Sequence, residues 1–187
     1  MRIISGKYGK RRFELPKNFR GRPTTEVAKE ALFNILQNRI DWEETRFLDL
    51  FAGSGSIGLE ALSRGAKEVL AIEKNPRHTS FINSVVEQLS DDHYSVQTRD
   101  VFAFIEKSES FGTFELIFAD PPYDLPLLAE LPRRIMSSQL LSPEGYLVVE
   151  HPKEYDFSKE QYFVEMRRYG TVHFSFFAHN IKTYKSN

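Results

Sequence analysis

Four short apolar runs, each carrying an acid at or next to its end, decide what this chain can fold into. They are Arg46-Phe47-Leu48-Asp49-Leu50, Val69-Leu70-Ala71-Ile72 closed by Glu73, Tyr94-Ser95-Val96-Gln97-Thr98 ending at Arg99-Asp100, and Phe114-Glu115-Leu116-Ile117-Phe118-Ala119 followed by Asp120. Runs of this length between turn residues read as buried strands. Helical patterns separate them. One spans about residues 57–64 and is stopped by Gly65, and another opens at Asn75-Pro76 with Phe81, Ile82, Val85, Val86 and Leu89 inward. A third, short one begins at Val101, and a helical stretch covers about residues 127–138. Strands alternating with helices imply a parallel, doubly wound sheet with helices on both faces.

The flanks complete the expectation. A fifth strand spans residues 146–150, and strands at 162–168 and 171–178, joined at Tyr169-Gly170, read as an antiparallel hairpin inserted at one edge. The fold class is therefore α/β, a mostly parallel seven-stranded sheet with a C-terminal antiparallel hairpin. Upstream, Pro23-Thr24-Thr25-Glu26 opens a helix capped by Thr24 or Thr25. Its apolar face is read as Val27, Ala28, Ala31, Leu32, Ile35 and Leu36, and its end falls near Ile40. Arg2–Ser5 and Arg12–Leu15, around a Gly6/Gly9 turn, read as a small basic N-terminal hairpin closed by Pro16.

A length of 187 residues suits one domain, or one domain with a small appendage. No apolar run approaches the roughly 20 residues of a membrane span, and the N-terminus lacks the apolar core of a secretory signal. The absence of cysteine excludes disulfides and thiolate metal sites and makes a cytoplasmic location the expectation. A net charge of −1 hides an asymmetry: residues 1–22 hold eight Lys or Arg and a single acid, Glu14. A basic arm on an acidic body suits a polyanionic partner met by one face; a solvated terminus gives the same pattern.

Gly53-Ser54-Gly55-Ser56-Ile57-Gly58 follows the first strand and opens a helix, the arrangement of a nucleotide-binding turn. Its glycines permit a tight turn and close backbone approach. Glu73, about 20 residues on, is placed to accept from a ribose diol. These features serve dinucleotides and S-adenosylmethionine alike. Asp49 separates the two, because an acid there would repel a pyrophosphate and would favour the α-ammonium of a methionine moiety. Asp100, at the end of the third strand, can accept from an adenine amino group.

Asp120-Pro121-Pro122-Tyr123 ends the fourth strand. Neither proline can donate to a ladder, and Pro121 pushes Asp120 out of the helical region. An exocyclic amine on a nucleobase is a poor nucleophile because its lone pair is delocalised into the ring. The Asp120 carboxylate and the Pro121 carbonyl can hold its two hydrogens and turn the lone pair toward a methyl donor. Pro122 adds rigidity and Tyr123 offers a face for an unstacked base. No metal is required.

Asp49-Leu50-Phe51-Ala52-Gly53-Ser54-Gly55 followed by Asp120-Pro121-Pro122-Tyr123 resembles the amino-methyltransferases of nucleic-acid bases. The match is closer to the RsmD-type bacterial enzymes that methylate the N2 amino group of a guanine in 16S ribosomal RNA. Arg2-Ile3-Ile4-Ser5-Gly6-Lys7-Tyr8, Arg22-Pro23-Thr24-Thr25-Glu26, Glu30-Ala31-Leu32-Phe33-Asn34 and the segment from Gly58 to Ala66 add to the likeness. It implies a Rossmann-like methyltransferase domain over residues 23–187, with residues 1–22 as an RNA-contacting arm. It implies S-adenosylmethionine as cofactor, held by Asp49, Gly53, Ser54, Gly55, Glu73, Asp100 and the Val101 amide. Asp120, Pro121, Pro122 and Tyr123 are then the catalytic segment, and Arg11, Arg12, Arg20 and Arg22 are phosphate contacts. The implied partner is 16S rRNA or the small ribosomal subunit, with no membrane, and the chain is expected to be a monomer. Two rivals stand beside it: an adenine-N6 or glutamine-amide methyltransferase, and a non-catalytic RNA-binding assembly factor.

Overall fold

A computed structural model describes residues 1–17, 19 and 24–180. Strands β1 (Arg46–Leu50), β2 (Glu68–Glu73), β3 (Tyr94–Thr98) and β4 (Phe114–Ala119) coincide with the four apolar runs. They are followed by β5 (Leu141–His151), β6 (Phe163–Tyr169) and β7 (Val172–Phe177). The helices are α1 (Glu26–Leu36), α2 (Ser56–Ser63), α3 (Pro76–Leu89), α4 (Val101–Ile105) and α5 (Leu131–Met136). The sheet order is β3-β2-β1-β4-β5-β7-β6. Its first five strands are parallel, and β7 lies antiparallel between β5 and β6.

Alternation along β1 shows how the sheet feeds two cores. Phe47 joins Leu32, Phe33, Leu59, Leu62 and Ile82 on the face of α1–α3. Leu48 and Leu50 join Phe104, Ile105, Leu131 and Ile135 on the face of α4 and α5. Each such side chain contributes about 1.5–3 kcal/mol of burial. From β1 the chain winds outward to β3, then returns to build β4 and β5 on the other side. The carboxyl ends of β1 and β4 therefore flank a topological switch point, the crevice where open α/β sheets bind ligands.

Four expectations are corrected. Val27 is 73% exposed, and the inward place on α1 goes to Lys29, which is 1% exposed. The Lys29 ammonium is admitted because it donates to the Arg2 carbonyl (2.7 Å) and Ser56 Oγ (2.9 Å) and lies 3.8 Å from Glu60. The helix itself stops at Leu36, although the Ile40 N–H still reaches the Leu36 carbonyl at 3.1 Å. The fifth strand begins at Leu141 and passes an irregularity opposite β4. Gly145 makes that passage possible, since a Cβ there would lie 2.8 Å from the Glu115 carbonyl oxygen. The helical stretch at 127–138 is a 3-10 turn, Leu128–Glu130, followed by the short α5.

The N-terminal arm pairs through a single antiparallel bridge, Arg2 with Arg12, flanked by Ile3 N–H to Arg11 O at 3.0 Å. It is docked on the body by polar contacts. Glu60, fully buried, accepts from the Ile4 and Ser5 amides at 2.7 and 3.1 Å. The Lys7 amide donates to Ser63 O at 2.7 Å, and a Cβ on Gly6 would collide with that carbonyl. Tyr8 Oη and Lys7 Nζ both meet Asp91, at 2.8 and 2.7 Å. Burial pushes the Asp91 carboxyl up, but the donors from Lys7, Tyr8 and His93 outweigh it and hold it well below the usual carboxylate range.

Candidate active site

The carboxyl ends of β1 to β5 surround one cavity of about 570 Å³. On the β1–β3 side it is lined by Asp49, Gly53, Ser54, Glu73, Asp100 and Val101. On the other side stand Asp120, Pro121, Pro122, Tyr123 and Glu150. Phe51, Ile57 and Phe102 supply apolar wall. A space of this size, mostly apolar with a few convergent polar groups, is that of a small-molecule site.

The turn between β1 and α2 is built by backbone that only glycine adopts comfortably. Gly53 and Gly55 have φ of 55° and 73°, and Phe51 joins them at 61°. Gly58 is needed for a different reason, because a Cβ there would lie 2.8 Å from Tyr94 Oη and 3.0 Å from Asp49 Oδ2. Asp49 reaches under the turn and accepts from the Gly58 amide at 2.9 Å. Burial pushes its carboxyl up to about 7, against the Gly58 bond that favours the anion. A cation placed beside Asp49 would reverse that shift.

Glu73 holds the same turn from β2. Its Oε2 accepts from the Gly53 amide and its Oε1 from the Asn75 amide, each at 2.8 Å. His78 Nδ1 stands 3.6 Å from Oε1 and has no hydrogen-bond partner among the described residues. Phe19 stacks on the His78 ring at a centroid distance of 4.3 Å and reaches the cavity from the arm side. Asp100 caps α4, its Oδ1 accepting from the Phe102 and Ala103 amides at 2.9 and 3.2 Å. Its remaining oxygen accepts no bond among the described residues.

Across the switch point, β4 ends at Ala119 and the Asp120 amide still donates to Leu50 O at 3.3 Å. Pro121 is buried, Pro122 exposed and Tyr123 half-buried. The Tyr123 hydroxyl donates to Glu150 Oε1 at 3.3 Å, and the Thr24 hydroxyl to Glu150 Oε2 at 2.9 Å. Thr25 caps α1 through the Ala28 amide, which leaves Thr24 to reach β5.

Ten of the eleven residues expected at cofactor and catalytic positions thus face one cavity. Gly55 lies behind it, packed against Ile82 and Tyr94. Arg11 and Arg12 are exposed on the arm, away from the cavity lining; Arg20 and Arg22 fall outside the described residues. Glu150, Phe19 and His78 join the site without having been singled out. For Glu150 a signal existed, since it closes the fifth strand as acids close the earlier ones. Nothing in the sequence marks Phe19 or His78.

Comparison with known proteins bears on the family of the chain. The family model described as conserved hypothetical protein 95 matches residues 1–178. The putative rRNA methyltransferase YlbH of Bacillus subtilis is 35% identical over 156 residues, 82% of this chain and 84% of that protein. Ribosomal RNA small subunit methyltransferase D of Escherichia coli is 32% identical over 155 residues, 82% of this chain and 76% of that protein. The solved structure of the putative methyltransferase yhhF from Escherichia coli superposes with a TM-score of 0.82 at 28% identity, covering 95% of this chain and 96% of that one.

Proposed function

Because this chain belongs to the conserved hypothetical protein 95 family, that of the ribosomal RNA small subunit methyltransferases D, we propose that it methylates the exocyclic N2 amine of a guanine in 16S ribosomal RNA, with S-adenosylmethionine as donor. The observation that carries this reading is the single cavity shared by the glycine turn and the Asp-Pro-Pro-Tyr segment.

The residues present fit the cofactor. Asp49, a buried carboxylate raised to about 7, is suited to an ammonium, which would restore its charge. The glycines bring backbone close, Glu73 lies where a ribose diol can donate to it, and the second oxygen of Asp100 and the Val101 amide are suited to an adenine edge. When bound, S-adenosylmethionine supplies a methyl group activated on a sulfonium. The protein's task is then orientation. Asp120 and the Pro121 carbonyl accept the two N–H bonds of the target amine, which directs its lone pair across the crevice. As the nitrogen gains positive charge, the Asp120 carboxylate stabilises it and is placed to take the proton. The exposed Arg11 and Arg12, with Arg20 and Arg22, serve the phosphates of residues flanking the target.

The test is mass mapping of methylated guanines in ribosomal RNA from cells with and without this protein. One N2-methylguanine should vanish from the small-subunit RNA when the protein is missing, and return when labelled cofactor and purified protein are added. An unchanged guanine map, or label appearing on adenine, would overturn the reading.

A further inference from the structure

We propose that Phe19 and His78 close the ribose end of the cofactor site as one aromatic wall, with the His78 imidazole steering the Glu73 carboxylate. The inference rests on the cofactor reading above and adds two residues to it, one of them carried on the N-terminal side of α1.

Three observations meet at this corner of the cavity. The Phe19 and His78 rings stack with centroids 4.3 Å apart and planes 23° from parallel. His78 Nδ1 stands 3.6 Å from Glu73 Oε1. Phe19, Glu73 and His78 all line the cavity. Phe19 sits in a turn in which its amide donates to the Pro16 carbonyl at 2.8 Å, while His78 lies in the first turn of α3 and is 9% exposed. The arm docks through polar contacts to Glu60, Ser63 and Asp91, so the Phe19 stack is a contact of another kind, apolar and at the cavity. A ring that stacks on one neighbour and still lines an open cavity keeps apolar surface for a ligand to cover.

The nitrogen supplies the second half of the argument. His78 Nδ1 is buried and has no hydrogen-bond partner among the described residues. Leaving such an atom unpaired is costly, and the Glu73 carboxylate stands only a few tenths of an ångström beyond bonding range. A carboxylate at that place favours the tautomer with its proton on Nδ1. Glu73 Oε1 accepts from the Asn75 amide and Oε2 from the Gly53 amide. Each oxygen offers about two acceptor sites, so a His78 bond to Oε1 leaves Oε2 to take a ribose hydroxyl. The stacked rings shield that bond from water, which strengthens it.

Binding is measured by calorimetry with S-adenosylhomocysteine and 5′-methylthioadenosine, which share the adenosine and differ at the amino-acid end. Phe19→Ala should weaken both by a similar factor, roughly ten-fold, with the melting temperature of the free protein unchanged. Phe19→Tyr should bind as wild type. His78→Phe keeps a ring for the stack and lacks Nδ1. It should weaken 5′-methylthioadenosine by about ten-fold and leave its 2′,3′-dideoxy analogue unaffected, a difference that packing alone does not produce. Undiminished affinity in Phe19→Ala would overturn the wall, as would a loss confined to S-adenosylhomocysteine, which would put the ring at the amino-acid end. Equal losses of the diol and dideoxy ligands in His78→Phe would overturn the steering of Glu73. If the wild-type protein binds none of these ligands, the cofactor reading itself fails, an outcome visible before any variant is made. Should Phe19→Ala not fold, Phe19→Leu, which keeps apolar bulk without a ring, carries the same comparison.

Discussion

The two halves of the cavity use their acids in opposite ways. On the β1–β3 side, Asp49, Glu73 and Asp100 each accept from main-chain amides, those of Gly58, of Gly53 and Asn75, and of Phe102 and Ala103. On the β4–β5 side, Glu150 is held by side-chain hydroxyls from the residue before the α1 cap and from the loop after β4. One half is a cradle whose acids shape the backbone that lines the cavity. The other is a set of side chains brought together from residues more than a hundred positions apart, such as Thr24 and Glu150. Damage to the first half should therefore reach both fold and cofactor, whereas damage to the second should reach the transfer step alone.

The sharpest way to break that contrast is Asp120→Ala. If Asp120 is the acceptor proposed for the target amine, removing it should lower the transfer rate by about a hundred- to a thousand-fold, with cofactor affinity by titration calorimetry unchanged. Normal turnover, or a cofactor that no longer binds, would end the division of labour.

Asp49→Asn probes the other half and should act on stability as well as binding. Burial raises the Asp49 carboxyl in the folded protein from an ordinary 3.8 to about 7. The stabilisation this gives is complete below about pH 4 and is lost as pH rises to about 7, because ionising the buried group costs free energy. The asparagine keeps an oxygen for the Gly58 amide and carries no such cost, so relative to wild type it should gain stability across that window. The gain should reach the order of 2–4 kcal/mol above pH 7, since a tenfold change in proton affinity is worth about 1.4 kcal/mol. Denaturant melts at pH 5 and pH 8 measure it. Cofactor affinity should fall at the same time, and in the wild type it should weaken as pH drops below 7. A variant that gains nothing at pH 8 would show that Asp49 ionises without penalty.

The smallest effect sharpens the comparison from outside both halves. Neutralising Arg11 and Arg12 should weaken RNA binding and lower the slope of log affinity against log salt by roughly 1.5–2. Cofactor affinity should not move. An unchanged slope would reduce the arm's basic face to solvated surface.

How far these features are legible in sequence follows from the range of the interactions that make them. Strands β1, β3 and β4 match their apolar runs because a run flanked by turn residues carries its own boundaries. The cap residues at Asn75 and Asp100 are local for the same reason. Val27 is placed inward in error and Lys29 left out, because the burial of Lys29 depends on Arg2, Ser56 and Glu60, which periodicity along α1 cannot see. For Glu73 and Asp100, sequence locates an acid at a strand end but not how much of its accepting capacity its own backbone uses. Glu150 acquires its meaning only through the pairing of β4 with β5 and the return of Thr24 across the sheet.

The anchoring of the arm has a consequence for the order in which the chain can be completed during synthesis. Residues 1–8 leave the ribosome before their docking partners, Glu60, Ser63 and Asp91. Until those partners have emerged, Ile4 and Ser5 have no carboxylate to donate to and Tyr8 has no Asp91. The loop this closes is long, but the entropic cost of closure grows only logarithmically with length, by about 0.6 kcal/mol per doubling. The arm must thus wait for more than fifty later residues before it can take its place. In the meantime a strongly basic stretch emerges into the surroundings of the ribosome, whose RNA is the class of polyanion it is proposed to meet again once folded.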